Sequence, residues 1–207
     1  MLTKYLIRCL VSRNIISPEE ESVYEYGMDA FIYTITSTLA LGVIGTMIES
    51  FGATAIVIAV FYTCQTFGGG YHAKTHLQCF SIMLFSLAAI LVVPQVITFP
   101  IELLTILAVL SFFMLFVLPI VIHPNKSYLR PREKQFRHRS YIATSILLVI
   151  YATLCCTFLL AEMQGLHLPI TVYTLSLVFS TVSRMIGLLS TIHSLCPSRY
   201  GEHQSAK

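Results

Sequence analysis

Six long runs of apolar residues, separated by short polar stretches, divide this chain of 207 residues. The runs cover residues 30–48, 51–67, 79–99, 103–122, 140–161 and 168–195, and Arg184 in the last run is the one charged residue inside them. About 20 apolar residues are enough for a helix to span the hydrocarbon core of a bilayer, and in lipid each segment must satisfy its own backbone hydrogen bonds. The pattern predicts an all-α polytopic membrane bundle of about six transmembrane helices.

A different pattern precedes the first run. Leu2, Tyr5, Leu6, Cys9 and Leu10 recur at helical spacing, and basic residues lie between them. An apolar stripe of this kind predicts an N-terminal amphipathic helix at the membrane interface.

The composition supports a membrane protein, because 56% of the residues are hydrophobic and 11% are charged. A soluble domain carries about 25% charged residues, and a disordered chain has far less apolar surface. We therefore expect a single membrane domain over residues 1–207, with an N-terminal segment 1–27, the spans within 28–195 and a tail 196–207. The six cysteines form no regular framework and are expected to be reduced thiols.

The basic residues lie in alternate connections. If the N-terminus is cytoplasmic, 12 of the 13 lysines and arginines fall on the cytoplasmic side. Half of these lie in one connection: Lys126, Arg130, Arg132, Lys134, Arg137 and Arg139. The positive-inside rule then predicts a multi-pass protein of the cell membrane with both termini cytoplasmic. Arg184 is expected to snorkel to that surface or to pair with Asp29, and Gly42, Gly45 and Gly187 to allow close helix contacts.

One predicted cytoplasmic connection has candidate chemistry. It reads Gly68-Gly69-Gly70-Tyr71-His72-Ala73-Lys74-Thr75-His76-Leu77-Gln78-Cys79. Three glycines permit a tight, unusual backbone path. A histidine can take the proton of a nearby thiol, and a helix N-terminus favours the thiolate, so this segment is a candidate for nucleophilic catalysis.

The spacing leaves the partner of Cys79 open. On one straight helix His76 lies on the adjacent turn, whereas His72 lies about 10 Å away along the axis and acts only if the loop curls back. A zinc site formed by His72, His76 and Cys79 is an alternative, although the glutamate of a metalloprotease motif is missing. A plain hairpin with interfacial histidines and a packed cysteine is another.

The segment Gly69-Gly70-Tyr71-His72-Ala73, followed by Cys79 seven residues after the histidine, resembles the accessory gene regulator B (AgrB) family. Size, the amphipathic N-terminal segment, the six-span pattern and the basic stretch 123–139 are also similar, so the resemblance covers essentially the whole chain. Members of the AgrB family are membrane cysteine endopeptidases that process the precursor of a cyclic autoinducer peptide. The resemblance implies that Cys79 is the nucleophile and His72, rather than His76, its partner.

The resemblance also implies a reaction and its partners. The enzyme would cleave the C-terminal tail from an AgrD-type quorum-sensing precursor through a thioester and promote thiolactone formation, without metal or cofactor and as a homodimer. The six basic residues from Lys126 to Arg139 would attract the acidic tail of the precursor. Backbone N–H groups of Gly68, Gly69 and Gly70, or the Gln65 amide, would stabilise the oxyanion.

One position departs from the family pattern. Members often carry an arginine seven residues before the histidine, and here that residue is Gln65. Gln65 can donate a hydrogen bond to substrate or oxyanion but supplies no charge. The alternatives to the endopeptidase are a metal-dependent membrane protease and a peptide transporter without covalent chemistry, although a transporter usually carries polar residues along several spans.

Overall fold

A computed structural model describes residues 2–13, 15–48, 50–71, 76–121, 133–161 and 164–195, and these are helical apart from short connections. The α-helices are α1 (Leu2–Ser12), α2 (Glu21–Met47), α3 (Phe51–Gly68), α4 (His76–Val96), α5 (Ile101–Val117), α6 (Glu133–Ala161) and α7 (His167–Leu195). Short 3-10 helices at Pro18–Glu20 and Gln164–Leu166 precede α2 and α7. Each of the helices α2 to α7 overlaps one of the six predicted apolar runs in order along the chain, which confirms an all-α polytopic membrane bundle.

Five of these helices are long and apolar enough to cross a membrane: α2, α3, α4, α6 and α7. Helix α5 is a shorter apolar helix of 17 residues. It ends at Val117 instead of continuing to residue 122 as predicted, because Leu118 precedes Pro119 and takes an extended conformation (φ −67°, ψ 134°). A residue before proline disfavours the helical conformation, since the proline ring crowds its backbone.

Helix α7 is the central element and packs against α3, α4, α5 and α6. On one side its Tyr173 joins a buried cluster with Tyr151 of α6 and Phe112 of α5. The ring centroid of Tyr151 lies 5.5 Å from that of Tyr173 and 5.9 Å from that of Phe112. On the other side Val172 packs in a second cluster with apolar side chains of α2, α3 and α4. Because α7 belongs to both clusters, a residue on it can contact several loops at one end of the bundle.

The N-terminal helix α1 has the predicted two-sided character. Ile7 is buried and α1 packs against α2, whereas Tyr5 and Leu6 are exposed. An apolar face that the bundle leaves uncovered fits a helix at a membrane interface. The interfacial placement itself stays a prediction.

Of the three glycines expected at close contacts, two have them. A Cβ on Gly45 would lie 2.8 Å from the Cβ of Thr54 in α3, and a Cβ on Gly187 would lie 2.8 Å from the carbonyl carbon of Gly70. Gly42 has nothing within 4 Å of such a Cβ. Gly45 therefore allows α2 and α3 to approach, and Gly187 allows a loop to approach α7.

Candidate functional site

The segment of residues 68–71, here called the glycine loop, begins where α3 ends. Gly69 has φ 69° and ψ 177°, a conformation that is open to glycine and essentially closed to residues with a Cβ. Its N–H donates to the carbonyl oxygen of Gln65 at 3.1 Å, which closes the last turn of α3. A Cβ on Gly69 would also overlap the carbonyl oxygen of Val121. The loop therefore requires glycine at this position.

The side chain of Gln65 lies against the backbone of the glycine loop. A Cβ on Gly70 would lie 2.6 Å from the Gln65 Nε2 atom, so the amide and the loop backbone are in close contact. The same Nε2 donates a hydrogen bond to the Oγ of Ser183 in α7 at 3.0 Å. The Gln65 amide thus links the loop to α7.

Two residues of α7 that the sequence analysis did not assign to the site contact the loop directly. The backbone N–H of Tyr71 donates to Ser183 Oγ at 3.2 Å. A Cβ on Gly187 would lie 2.9 Å from the Gly70 oxygen and 3.0 Å from the Tyr71 nitrogen. The one signal in the sequence was the small residue one helical turn after Ser183, which marks a helix face open to close approach.

The expectations for Arg184 were wrong, because the side chain neither snorkels nor pairs with Asp29. Arg184 is 2% exposed. Its Nε donates to the Pro119 oxygen at 3.1 Å, and its two terminal nitrogens donate to the oxygens of Leu115 at 3.2 Å and Leu118 at 2.7 Å. The early end of α5 leaves these carbonyls without helical partners, and a helix C-terminus attracts a cation.

Arg184 also contacts the glycine loop. A Cβ on Gly68 would lie 3.0 Å from one of its terminal nitrogens. The backbone N–H of Val121, just beyond the carbonyls that Arg184 binds, donates to the Gly68 oxygen at 3.0 Å. The segment after α5 and the glycine loop are therefore held together both by Arg184 and by a direct backbone hydrogen bond.

A small cavity lies beside Gly68 and Arg184. Its volume of about 10 Å³ has room for about one water molecule. Ser140, Thr144 and Cys64 are among the other residues that line it. A cavity of this size is too small for a peptide.

Cys79 lies in the first turn of α4, as expected for a thiol at a helix start, and it is a half-buried free thiol. The other cysteines within the described residues, Cys9, Cys64, Cys155 and Cys156, are free as well. His72 lies outside the described residues, as does the side chain of His76. The described residues contain no group of three possible metal ligands, and the zinc alternative depends on these two histidines.

The described part of the basic connection lies on the first turns of α6. Lys134, Arg137 and Arg139 are exposed there. Arg137 pairs with Glu133 at 3.7 Å, and the Arg139 guanidinium lies 5.9 Å from the Phe136 ring centroid. The next residue, Ser140, lines the cavity beside Gly68, so this basic face begins next to the glycine loop. Lys126, Arg130 and Arg132 lie outside the described residues.

Comparison with known proteins identifies the family. The family model for accessory gene regulator B matches residues 2–195 of the chain. No curated protein and no solved structure matches. The match covers both the helical bundle and the segment from Gln65 to Cys79. The chain therefore belongs to the accessory gene regulator B family, membrane proteins that take part in the processing of quorum-sensing autoinducers.

Proposed function

We propose that this protein is a membrane cysteine endopeptidase that removes the C-terminal tail of a quorum-sensing propeptide. The observation that carries the proposal is the free, half-buried thiol of Cys79 in the first turn of α4, shortly after a loop whose backbone is fixed by α7. A helix N-terminus favours the thiolate, which is the nucleophilic form of cysteine. By the positive-inside rule this end of the bundle faces the cytoplasm, where a newly made precursor is available.

The reaction starts when the Cys79 sulfur attacks one peptide carbonyl of the precursor and takes over its acyl group. His72 receives the thiol proton and gives it to the departing amine, so the C–N bond breaks and the tail leaves. The retained peptide is now a thioester on Cys79. A cysteine thiol within that peptide displaces Cys79 and closes a thiolactone, and the free Cys79 thiol is restored.

The oxyanion of the tetrahedral intermediate needs hydrogen-bond donors. Of the three loop glycines, Gly68 belongs to the last turn of α3, and the Gly69 N–H donates to Gln65. The N–H of Gly70 has no acceptor among the described residues, which makes it the backbone donor that we assign to the oxyanion. The Gln65 amide already donates to Ser183, and it lies against Gly70, so its part is to support the loop.

The polar residues of α7 do not favour the transporter alternative. Most of its buried hydroxyl groups donate to the backbone oxygen four residues earlier: Thr171, Thr174, Ser176 and Thr181. Hydroxyl groups satisfied within their own helix do not offer a polar path to a peptide. The candidate chemistry lies instead at one end of the bundle.

The proposed function is tested with purified protein in lipid vesicles and a precursor peptide. Alkylation of Cys79 by iodoacetamide, followed by mass spectrometry, should parallel the loss of cleavage, and bound precursor should slow both. A chelator should leave cleavage unchanged. Cleavage that is lost on chelation and survives alkylation of Cys79 would replace this proposal with the metal-dependent protease.

We also expect the exposed basic residues of α6 to bind the acidic tail of the precursor. Neutralising Arg137 or Arg139 with glutamine should weaken binding by a factor of about 1.4 to 5 at low salt, because each exposed ionic contact contributes about 0.2–1 kcal/mol. Raising the ionic strength should weaken binding to the wild type and reduce the difference between the proteins. The measurement is precursor affinity against salt concentration in vesicles of neutral lipid.

Arg8→Gln is the matched control for this charge prediction, since Arg8 is an exposed arginine on α1 rather than α6. It should leave precursor affinity unchanged. Glu133→Gln should strengthen binding slightly, because it releases Arg137 from its ion pair. A precursor affinity that does not depend on salt in any of these proteins would contradict the role of the basic face.

A further inference from the structure

We propose that Ser183, Arg184 and Gly187, here called the α7 cradle, are positioning residues that hold the glycine loop in place for the reaction at Cys79. The inference rests on the proposed function, because it gives these three residues a part in that reaction. None of them touches the reacting atoms in our account, so their effect passes through the loop. The site therefore extends to the last helix of the bundle.

Contacts from one turn of α7 converge on a backbone segment of four residues. Ser183 accepts a hydrogen bond from the Tyr71 N–H at 3.2 Å. A Cβ on Gly187 would approach the Gly70 carbonyl carbon to 2.8 Å, so loop and helix touch backbone to backbone. His72 follows Tyr71 directly in the sequence. The cradle thus fixes the chain one residue before the proposed acid–base residue.

Arg184 connects the glycine loop to the segment that leads toward the basic connection. Its three hydrogen bonds hold the carbonyls of Leu115, Leu118 and Pro119. The chain then reaches Val121, which donates to the Gly68 oxygen at 3.0 Å. The loop proposed for catalysis and the connection proposed for binding the precursor tail therefore start from one shared anchor.

Packing alone does not account for the buried guanidinium of Arg184. An apolar side chain would avoid the free-energy cost of removing a charge from water, but it would leave the three carbonyl oxygens at the end of α5 without a donor. No acidic partner offsets that cost within the described residues, where three carbonyl oxygens bind Arg184 instead. The guanidinium therefore fixes the segment after α5 through these carbonyls while it also contacts the glycine loop at Gly68.

The test compares Gly187→Ala with Gly42→Ala, because both glycines lie inside helices and Gly42 has free space around it. The new methyl group on residue 187 must push Gly70 away, and a misplacement of about 1 Å lowers a rate by about 100-fold. We expect kcat for precursor cleavage to fall by about that factor and KM to stay unchanged, since the basic face of α6 is intact. Gly42→Ala should match the wild type in both constants.

A second variant covers the case in which Gly187→Ala does not fold. Ser183→Ala removes the acceptor for Tyr71 and Gln65 with little change in volume, and we expect kcat to fall about ten-fold. The rate of Cys79 alkylation at neutral pH gives a readout without precursor. It should fall in both variants, because a displaced loop no longer assists removal of the thiol proton, while thermal stability in detergent shows that each protein is folded.

The two proposals fail in different ways. Folded Gly187→Ala and Ser183→Ala proteins that keep the wild-type kcat and alkylation rate would overturn the cradle, provided that Cys79→Ala is inactive. A Cys79→Ala protein that still cleaves precursor would overturn the proposed function itself. A lower kcat together with slower alkylation at unchanged KM supports the cradle.

Discussion

Replacement of Cys79 by alanine is expected to reduce precursor cleavage by about 10⁴-fold or more, because it removes the nucleophile on which both bond-making steps depend. Alanine is the best helix former and Cys79 lies in the first turn of α4, so the fold should tolerate the change. The measurement is single-turnover cleavage by purified protein in lipid. Precursor affinity should remain close to that of the wild type, since binding of the tail is assigned to α6.

Cys156→Ala is the control for this experiment, because Cys156 is a free thiol exposed on α6, away from the glycine loop. It should cleave at the wild-type rate. Cys79→Ser should also lose most activity. A serine hydroxyl is far less acidic than a thiol, so His72 would deprotonate it much less readily. Cleavage by Cys79→Ala at the normal rate would end the endopeptidase account.

Gly69→Ala is expected to lower kcat by about 100-fold or more without removing any group that takes part in the chemistry. Alanine at φ 69° and ψ 177° is strained by about 1–3 kcal/mol, and its Cβ would overlap the Val121 oxygen. The loop must therefore leave its present path, and the donor of Gly70 moves with it. The measurement is kcat and KM for cleavage, together with thermal stability in detergent.

Gly52→Ala provides the comparison for the loop glycine. Gly52 lies in the first turn of α3 with nothing within 4 Å of an added Cβ, so its replacement should leave kcat unchanged and raise stability slightly. Full activity in Gly69→Ala would mean that the loop geometry described here is not needed for catalysis. A protein that loses stability but keeps kcat would assign Gly69 to the fold alone.

The helical bundle could be predicted from the sequence because long apolar runs leave the chain few alternatives in lipid. The exception, the end of α5, depends on one local detail. Leu118 before Pro119 stops the helix at Val117 although the apolar run continues to residue 122. Hydrophobicity marks which residues are in the membrane region, and backbone restrictions decide where a helix ends inside it.

The candidate site could be predicted only in part. The loop and Cys79 stand out because glycines, histidines and a cysteine are concentrated in a short segment. The role of α7 could not be read in the same way, since Ser183 contacts Gln65 across 118 positions and Arg184 contacts Leu115 across 69. Arg184 was visible as the one charge inside a span, but its direction depends on the carbonyls that the end of α5 leaves open.

The thioester on Cys79 is the central intermediate of the proposed reaction, and it can be measured directly. Wild-type protein is mixed with a precursor whose ring-forming cysteine is replaced by alanine, so that the acyl group cannot be displaced to form a ring, and the reaction is stopped in acid. Mass spectrometry should find the N-terminal part of the precursor on the Cys79 peptide, released by hydroxylamine. Cleavage of the precursor without any adduct on Cys79, or with the adduct on another cysteine, would contradict the account.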